Sequence, residues 1–428
     1  MSWYLLVPVA IFFLTFVAGI PIAFGMLGAS IAYFLVLGQD VSIMTQAVLS
    51  GLNNSYLLIA VPLFIFSAKV MNTGLITEKI FTFAMMLVGR WKGGLGQVNV
   101  LASLIFSGMT GSAVADASGL GIMEIEEMKK AGYEAEFACA VTAASAVIGP
   151  TFPPSIPALI YAMLSGASVS AMFLGGIVPG ILLAVVLMVY VWYVSSKRNY
   201  PRGGRFSTRA IAQATLGSTP ALLTPVILLW GIYSGVVTPT EAAALAASYA
   251  LFVSFVVYRS FGLRSLWDII IDTVQMTGTI GIMLGAAFAF SYIVAVEHLP
   301  DTIANLVISL NTDKITFLLL INAVFLILGM FLDVSTIQVV FLPIVIPVVN
   351  ALGIDLVHFG VVICLNMMIG LCTPPFGGLL FVVSSLTQTP LRGVIREVMP
   401  MVYVMIGLLV VLTLVPSLVM FIPNSMAH

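Results

Sequence analysis

Two stretches, IGPTFPPSIP (Ile148–Pro157) and IGLCTPPFGG (Ile369–Gly378), decide how this chain is read. Both sit inside long apolar segments, and each puts a Pro-Pro pair where a membrane helix would continue. Proline has no amide to donate and clashes with the preceding turn, so each pair interrupts its helix. Within a bilayer, broken backbone is tolerated only where it is buried in protein or lines a wet cavity. One break is an ordinary kink. Two breaks in the same Gly-Pro context point to a use: freed carbonyls hold a bare cation, and half-helix N-termini face an anion.

The surroundings are those of a membrane protein. Of 428 residues, 61% are hydrophobic and 8% charged, against roughly 25% charged in soluble domains. The mean hydropathy is +1.16. Apolar runs of about 20 residues recur, the length that crosses ~30 Å of hydrocarbon. No alternating ten-residue pattern suggests an outer-membrane barrel. The expected fold is therefore an all-α, polytopic helical bundle with about a dozen crossings and some re-entrant pieces. The N-terminal MSWYLLVPVAIFFLTFVAGIP reads as a retained first helix, since it lacks a basic leader and a small-residue cleavage site. Cys139, Cys364 and Cys372 all fall in apolar segments, which argues against a disulfide framework. A net charge of −1 suggests no nucleic-acid partner.

A shift of 221 positions lays the sequence on itself. Gly108-Met109 falls on Gly329-Met330, Gly132 on Gly353, Ile148-Gly149 on Ile369-Gly370, Pro153-Pro154 on Pro374-Pro375, and Pro179 on Pro400. The identities gather on Gly and Pro, which set backbone shape. Lys197, Arg198, Arg202, Arg205 and Arg209 crowd the stretch SSKRNYPRGGRFSTR, read as a loop, and Arg259 and Arg264 mark another. The positive-inside rule puts both in the cytoplasm. Two spans, Thr215–Val236 and Thr240–Tyr258, fit between them and meet at SGVVTPTEA. The helix after Pro179 ends in the basic loop, whereas the one after Pro400 begins beside Arg392 and Arg396 and carries no Lys or Arg at its far end. The repeats are therefore expected to be inverted, the pattern of a secondary transporter.

NVLASLIFSGMTGSAVADASGLG (Asn99–Gly121) carries Ser103 and Ser107 on one helical face, then Gly108, Gly111, Ser112 and Asp116. It reads as a helix, a break and a short return before a polar EIEEMKK turn: a re-entrant hairpin. Intramembrane Asp116 is costly unless partnered or functional. Its mate NAVFLILGMFLDVSTIQVVFLP (Asn322–Pro343) gathers Gly329, Asp333, Ser335 and Thr336. Asp333 falls on Ser112, so the hairpins share geometry but not chemistry. One ion site per half is expected, and hard oxygens suit Na⁺. Lower-ranking groups are Lys69 as a snorkelling base, Glu241 as a first-turn acid, His298 at an interfacial end and His358 as a structural histidine.

No enzyme is expected: three histidines give a Ser-His or metal-hydrolase site little material, and neither HExxH nor a Walker A motif occurs. A channel would call for filter loops, and a membrane scaffold would need no polar centre in both halves.

SGMTGSAVADASGLG, AASAVIGPTFPPSIPALIY and LLIAVPLFIFSAKVMNTG resemble the large membrane subunit (M-type) of tripartite ATP-independent periplasmic (TRAP) transporters, across essentially the whole chain. The resemblance implies a sodium-driven symporter with an elevator mechanism, in which a transport domain carries substrate across a fixed scaffold. It implies a Q-type small membrane subunit, here expected as a separate chain, and a P-type periplasmic binding protein delivering the substrate. The family's substrates are organic acid anions, chiefly C4-dicarboxylates and sialic acid. GSAVADASGLG is nearest the sialic-acid branch. Family sodium sites carry over to Ser103, Ser107, Gly149 and Pro150 in the first half, and to Gly329, Asp333, Thr373 and Pro374 in the second. Ser112, Asp116, Pro153 and Pro154 would lie near the substrate. The Ser-Asn-Thr hairpin tips of the wider superfamily are absent from both halves. No transition metal or organic cofactor is expected, and the location is the bacterial inner membrane. The expected division is scaffold helices over residues 1–98, a first transport repeat over 99–165, and scaffold and connecting helices over 166–315. A second transport repeat follows over 316–390 and a terminal helix over 391–428. The alternative function is a proton-coupled anion transporter or an anion channel.

Overall fold

The computed structural model describes residues 3–53, 56–72, 74–203, 208–260, 262–299 and 313–425. Arg205 of the basic stretch and residues 300–312 of the connecting segment lie outside them. Among the described residues there is no strand. Among the described residues seven helices are long and apolar enough to cross a membrane, or up to nine if each of two bent helix pairs is one span, and shorter apolar helices occur besides.

The halves share one layout. A hairpin of Gly94–Thr110, Ala113–Ser118 and Leu120–Lys130 leads into Ala135–Ala146 and Ile148–Thr151, a break, and Ile156–Ser165. In the second half, Lys314–Phe331 and Val334–Ala351 form the hairpin, and Leu356–Leu371, a break and Gly378–Thr387 follow. Shifting the outer bounds of the first set by 221 reproduces those of the second to within one residue at each end. The long helices Val169–Arg198 and Leu391–Leu414 come next in each half.

Capping explains where the hairpins turn. Gly111 has φ +59° and ends the first arm, and Ser112 starts the return by accepting from the Ala115 amide. In the second hairpin Asp333 does the same job, its Oδ2 accepting from the Ser335 and Thr336 amides at 3.0 and 3.4 Å. Such caps satisfy donors that a helix start leaves orphaned. EIEEMKK is not a turn: it is helical to Lys130, and the chain turns at Ala131–Glu134. Glu124 thereby faces inward and is buried. The basic stretch is likewise not all loop, because Val169–Arg198 extends through its first four residues. The expected central pair appears as Thr208–Tyr233 and Pro239–Phe252, the second opened by a capping box between Thr238 and Glu241.

The broken helices form the centre. Every residue from Phe137 to Thr151 and from His358 to Gly370 is buried. In lipid, helices associate through close packing and hydrogen bonds rather than a hydrophobic drive, so small residues mark the tightest contacts. ACAVTAASA in the first broken helix supplies them. Polar bonds cross-link the two halves. Tyr161 Oη donates to the Leu356 carbonyl (2.8 Å), Gln338 Nε2 to the Pro157 carbonyl (3.0 Å), and Cys372 Sγ to the Ala143 carbonyl (2.9 Å). All three cysteines are buried and free. His358 is structural, its Nε2 lying 3.0 Å from the Leu412 carbonyl. Lys69 is held in an ion pair with Asp272 at 2.9 Å. Val169–Arg198 packs on the first hairpin, on Leu391–Leu414 and on Pro416–Ser425.

Candidate functional site

Both hairpin tips end at one cavity of about 510 Å³, within the range of small-molecule sites. Ser112, Pro150, Asp333 and Ser335 line it from the tips and the first break, and Gln275 and Thr279 face them from the long helix Leu263–Val296. No Lys, Arg or His is among its lining residues. The wall is largely apolar, with a few hydroxyls, one amide and one carboxylate set into it and no cationic side chain among the described lining residues, so an anion bound here needs its counter-charge from elsewhere.

Glycines let the tips approach the breaks. A Cβ on Gly111 would overlap the Pro154 carbonyl, and one on Gly149 would lie 3.4 Å from the Ser112 carbonyl carbon. In the second half Gly329 meets Gly370: a Cβ on Gly370 would come within 2.7 Å of the Gly329 backbone. The Gly377 amide reaches the Met330 carbonyl at 3.3 Å. Both Pro-Pro bonds, Pro153-Pro154 and Pro374-Pro375, are cis. In the first break Ser155 Oγ donates to the Pro150 carbonyl and caps the following helix. In the second, Thr373 Oγ1 donates to the Ile369 carbonyl at 2.7 Å.

Behind each tip a buried polar network ties hairpin to broken helix. In the first half Asn99 Nδ2 donates to Thr142 Oγ1 (2.7 Å), Ser145 Oγ to Asn99 Oδ1 (2.8 Å), and Ser103 Oγ to Ser145 Oγ (3.1 Å). In the second, Asn366 Nδ2 donates to Asn322 Oδ1 and Asn322 Nδ2 to Thr413 Oγ1, both at 2.8 Å. The shift of 221 carries Ser145 onto Asn366, so the same position anchors both networks. Replacing Ser145 by Ala is expected to strand Asn99 Oδ1 in a dry interior and to take away the acceptor of the Ser103 hydroxyl. The cost is ~2 kcal/mol, read as a lower unfolding midpoint in detergent.

The sequence-derived residues thus separate. Ser112, Pro150 and Asp333 line the cavity. Pro154 touches the first tip, Pro153 neighbours it in the break, and Gly149, Gly329, Thr373 and Pro374 lie at or beside the breaks. Ser103 and Ser107 are buried in the first arm, and Ser107 Oγ is turned to the Leu104 carbonyl at 2.6 Å. Asp116 is 1% exposed and is not among the cavity residues. It sits beside Ser103 and Glu124, and among the described residues its oxygens and those of Glu124 make no hydrogen bond of good geometry. Burying an unpaired carboxylate costs several kcal/mol, so this interior calls for a cation or a proton.

The sequence matches the family described as "Tripartite ATP-independent periplasmic transporter, DctM component" over residues 9–418. The chain belongs to this family. It is 40% identical over 408 residues to the sialic acid TRAP transporter large permease protein SiaM of Vibrio cholerae, covering 95% of each chain. It is 35% identical over 399 residues to the C4-dicarboxylate TRAP transporter large permease protein DctM of Pseudomonas aeruginosa, covering 93% of each. Its fold is similar to the crystal structure of the Alcanivorax borkumensis YdaH transporter, with a TM-score of 0.65, 14% identity, and 88% and 89% of the two chains covered. This TRAP large permease is a transporter subunit rather than an enzyme, a multi-pass protein of the bacterial inner membrane, and one component of a tripartite system for organic acid import.

Gln275, Thr279, Glu124, Ser145, Asn322 and Asn366 were missed in the sequence. Asn366 had a readable signal: it is the one amide in the apolar run VVICLNMMIGL and the repeat mate of a serine. Gln275 and Thr279 had none, since only tertiary packing brings their helix to the tips.

Proposed function

We propose that this subunit imports an organic acid anion, sialic acid first and a C4-dicarboxylate next, in symport with Na⁺. One observation carries the reading: the cavity between the hairpin tips has hydroxyls, an amide and a carboxylate but no cationic side chain. Cations at the two breaks would supply the missing charge. Gly149 and Pro150 with Ser103 and Ser107 would frame one site, and Gly329, Asp333, Thr373 and Pro374 the other. Coupling follows if the closed tips bind ion and anion better than the open tips do.

In this reading the hairpins and broken helices move as an elevator against Leu263–Val296 and the central pair. The packing of Val169–Arg198 on the first hairpin favours moving that helix too, which differs from the division expected from sequence. A separate small membrane subunit and a periplasmic binding protein would complete the transporter.

Proton coupling is a second reading, favoured by the buried Asp116 and Glu124, whose oxygens lack well-formed hydrogen bonds among the described residues. Uptake by proteoliposomes holding this chain, its small partner and the binding protein separates the two. Sialic acid or succinate uptake that requires an inward Na⁺ gradient, and not a K⁺ gradient, is the expected result. Uptake that ignores Na⁺ and follows a proton gradient moves the coupling to the buried acids.

A further inference from the structure

The positive charge gathered at one end of the first hairpin plays no part in the reading above. Three chain segments converge there. Gly89–Gly94 leads into the hairpin, Lys129–Glu134 leads out of it, and Lys197–Gly203 spans the end of the long helix and the residues after it. They are tied by a Gly203 amide to Gly89 carbonyl bond (2.8 Å), by Tyr133 Oη to the Pro201 carbonyl (3.3 Å), and by stacking of Tyr133 on Tyr200 at 4.4 Å. Between them lies a cavity of about 370 Å³ with Met85 and Leu95 as apolar lining and Lys130 and Arg202 as its bases.

The charge there is not balanced from within. Arg198 is consumed by Glu134 and Glu397, at 2.8 and 2.9 Å, and Lys130 shares Glu127, another lining residue, at 2.7 Å. Arg90, Lys129, Lys197 and Arg202 are exposed and have no carboxylate partner among the described residues. The level is marked as well. Trp91 and Trp192 are 47% and 50% exposed, and Lys92 lies over the Trp192 ring at 5.8 Å. Exposed tryptophans beside lysines are the mark of a membrane–water boundary. The excess of Lys and Arg assigns this boundary to the cytoplasmic leaflet, whose anionic lipids attract such clusters.

We propose that this cavity seats the phosphate headgroup of an anionic glycerophospholipid of the cytoplasmic leaflet. Arg202 and Lys130 face the phosphate, and Met85 and Leu95 lie along the glycerol and the start of the acyl chains. A free phosphate would satisfy the bases but would leave the apolar lining unused, which favours the lipid. The occupant would bridge the helix Gly74–Val88 and both ends of the first hairpin, and so bear on how that hairpin is held.

The test uses the delipidated transporter, this chain with its small partner, in detergent. Phosphatidylglycerol and phosphatidylcholine are added separately, and the melting temperature and the lipid adducts in native mass spectra are followed. Phosphatidylglycerol is expected to stabilise the wild type more than phosphatidylcholine does. In the double variant Lys130→Gln/Arg202→Gln, its apparent affinity should fall roughly tenfold. Lys130→Arg/Arg202→Lys keeps the charge and should keep the preference, which separates charge from packing. An unchanged preference in the Gln variant overturns the proposal. So does matched inorganic phosphate that reproduces the stabilisation, because the cavity then takes a free anion rather than a lipid.

Discussion

Gly111→Ala is expected to reduce substrate uptake more than ~30-fold while the protein still folds. Two costs meet at this residue. Its φ of +59° is left-handed, which costs a residue with a Cβ ~1–2 kcal/mol. The new methyl would also overlap the Pro154 carbonyl, a backbone atom that a rotamer change cannot move aside. The first tip must then retreat from the first break, and both the cavity wall at Ser112 and the proposed cation frame at Gly149 and Pro150 go with it. Gly166→Ala is the matched control: its φ is +74°, yet a Cβ there meets nothing within 4 Å. It carries the backbone cost alone and should transport nearly as the wild type. Equal uptake by the two variants would show that the close approach of tip to break has no part in transport.

Much of this architecture was legible because Gly and Pro record backbone shape. The two Pro-Pro words located both breaks, and the shift of 221 anticipated matching helix bounds across both repeats. Gly111 and Ser112 gave away the first tip, and Glu241, read as a first-turn acid, closes a capping box with Thr238. Side-chain direction was not legible. EIEEMKK has the composition of a surface turn, and only its helical path turns Glu124 inward. The family resemblance implied Asp116 near the substrate, yet one helical turn beyond Ser112 it is buried away from the cavity between the tips. Gln275 and Thr279 are more than a hundred residues from the first tip, and nothing in the local sequence of TVQMTGT says what that helix faces.

Asp333→Asn is expected to raise the Na⁺ concentration for half-maximal uptake about tenfold or more, equivalent to ~1.4 kcal/mol of ion binding, with little change in thermal stability. The separation is possible because Asp333 has two jobs. Its Oδ2 caps Val334–Ala351 through the Ser335 and Thr336 amides, and its carboxylate is the one acidic group lining the cavity between the tips. Asn caps a helix about as well as Asp, so this substitution removes the charge and keeps the tip. Asp333→Ala removes both and should add a loss of ~1 kcal/mol in stability. Denaturation in detergent reads the cap, and Na⁺ titration of uptake reads the charge. If Asn matches the wild type in Na⁺ dependence while Ala is merely less stable, Asp333 is a cap and nothing more. The proposed second cation site would then have to be built from the oxygens of Gly329, Thr373 and Pro374 without a carboxylate, like the proposed first site at Ser103, Ser107, Gly149 and Pro150. The two halves would then match in ion chemistry as closely as they match in backbone.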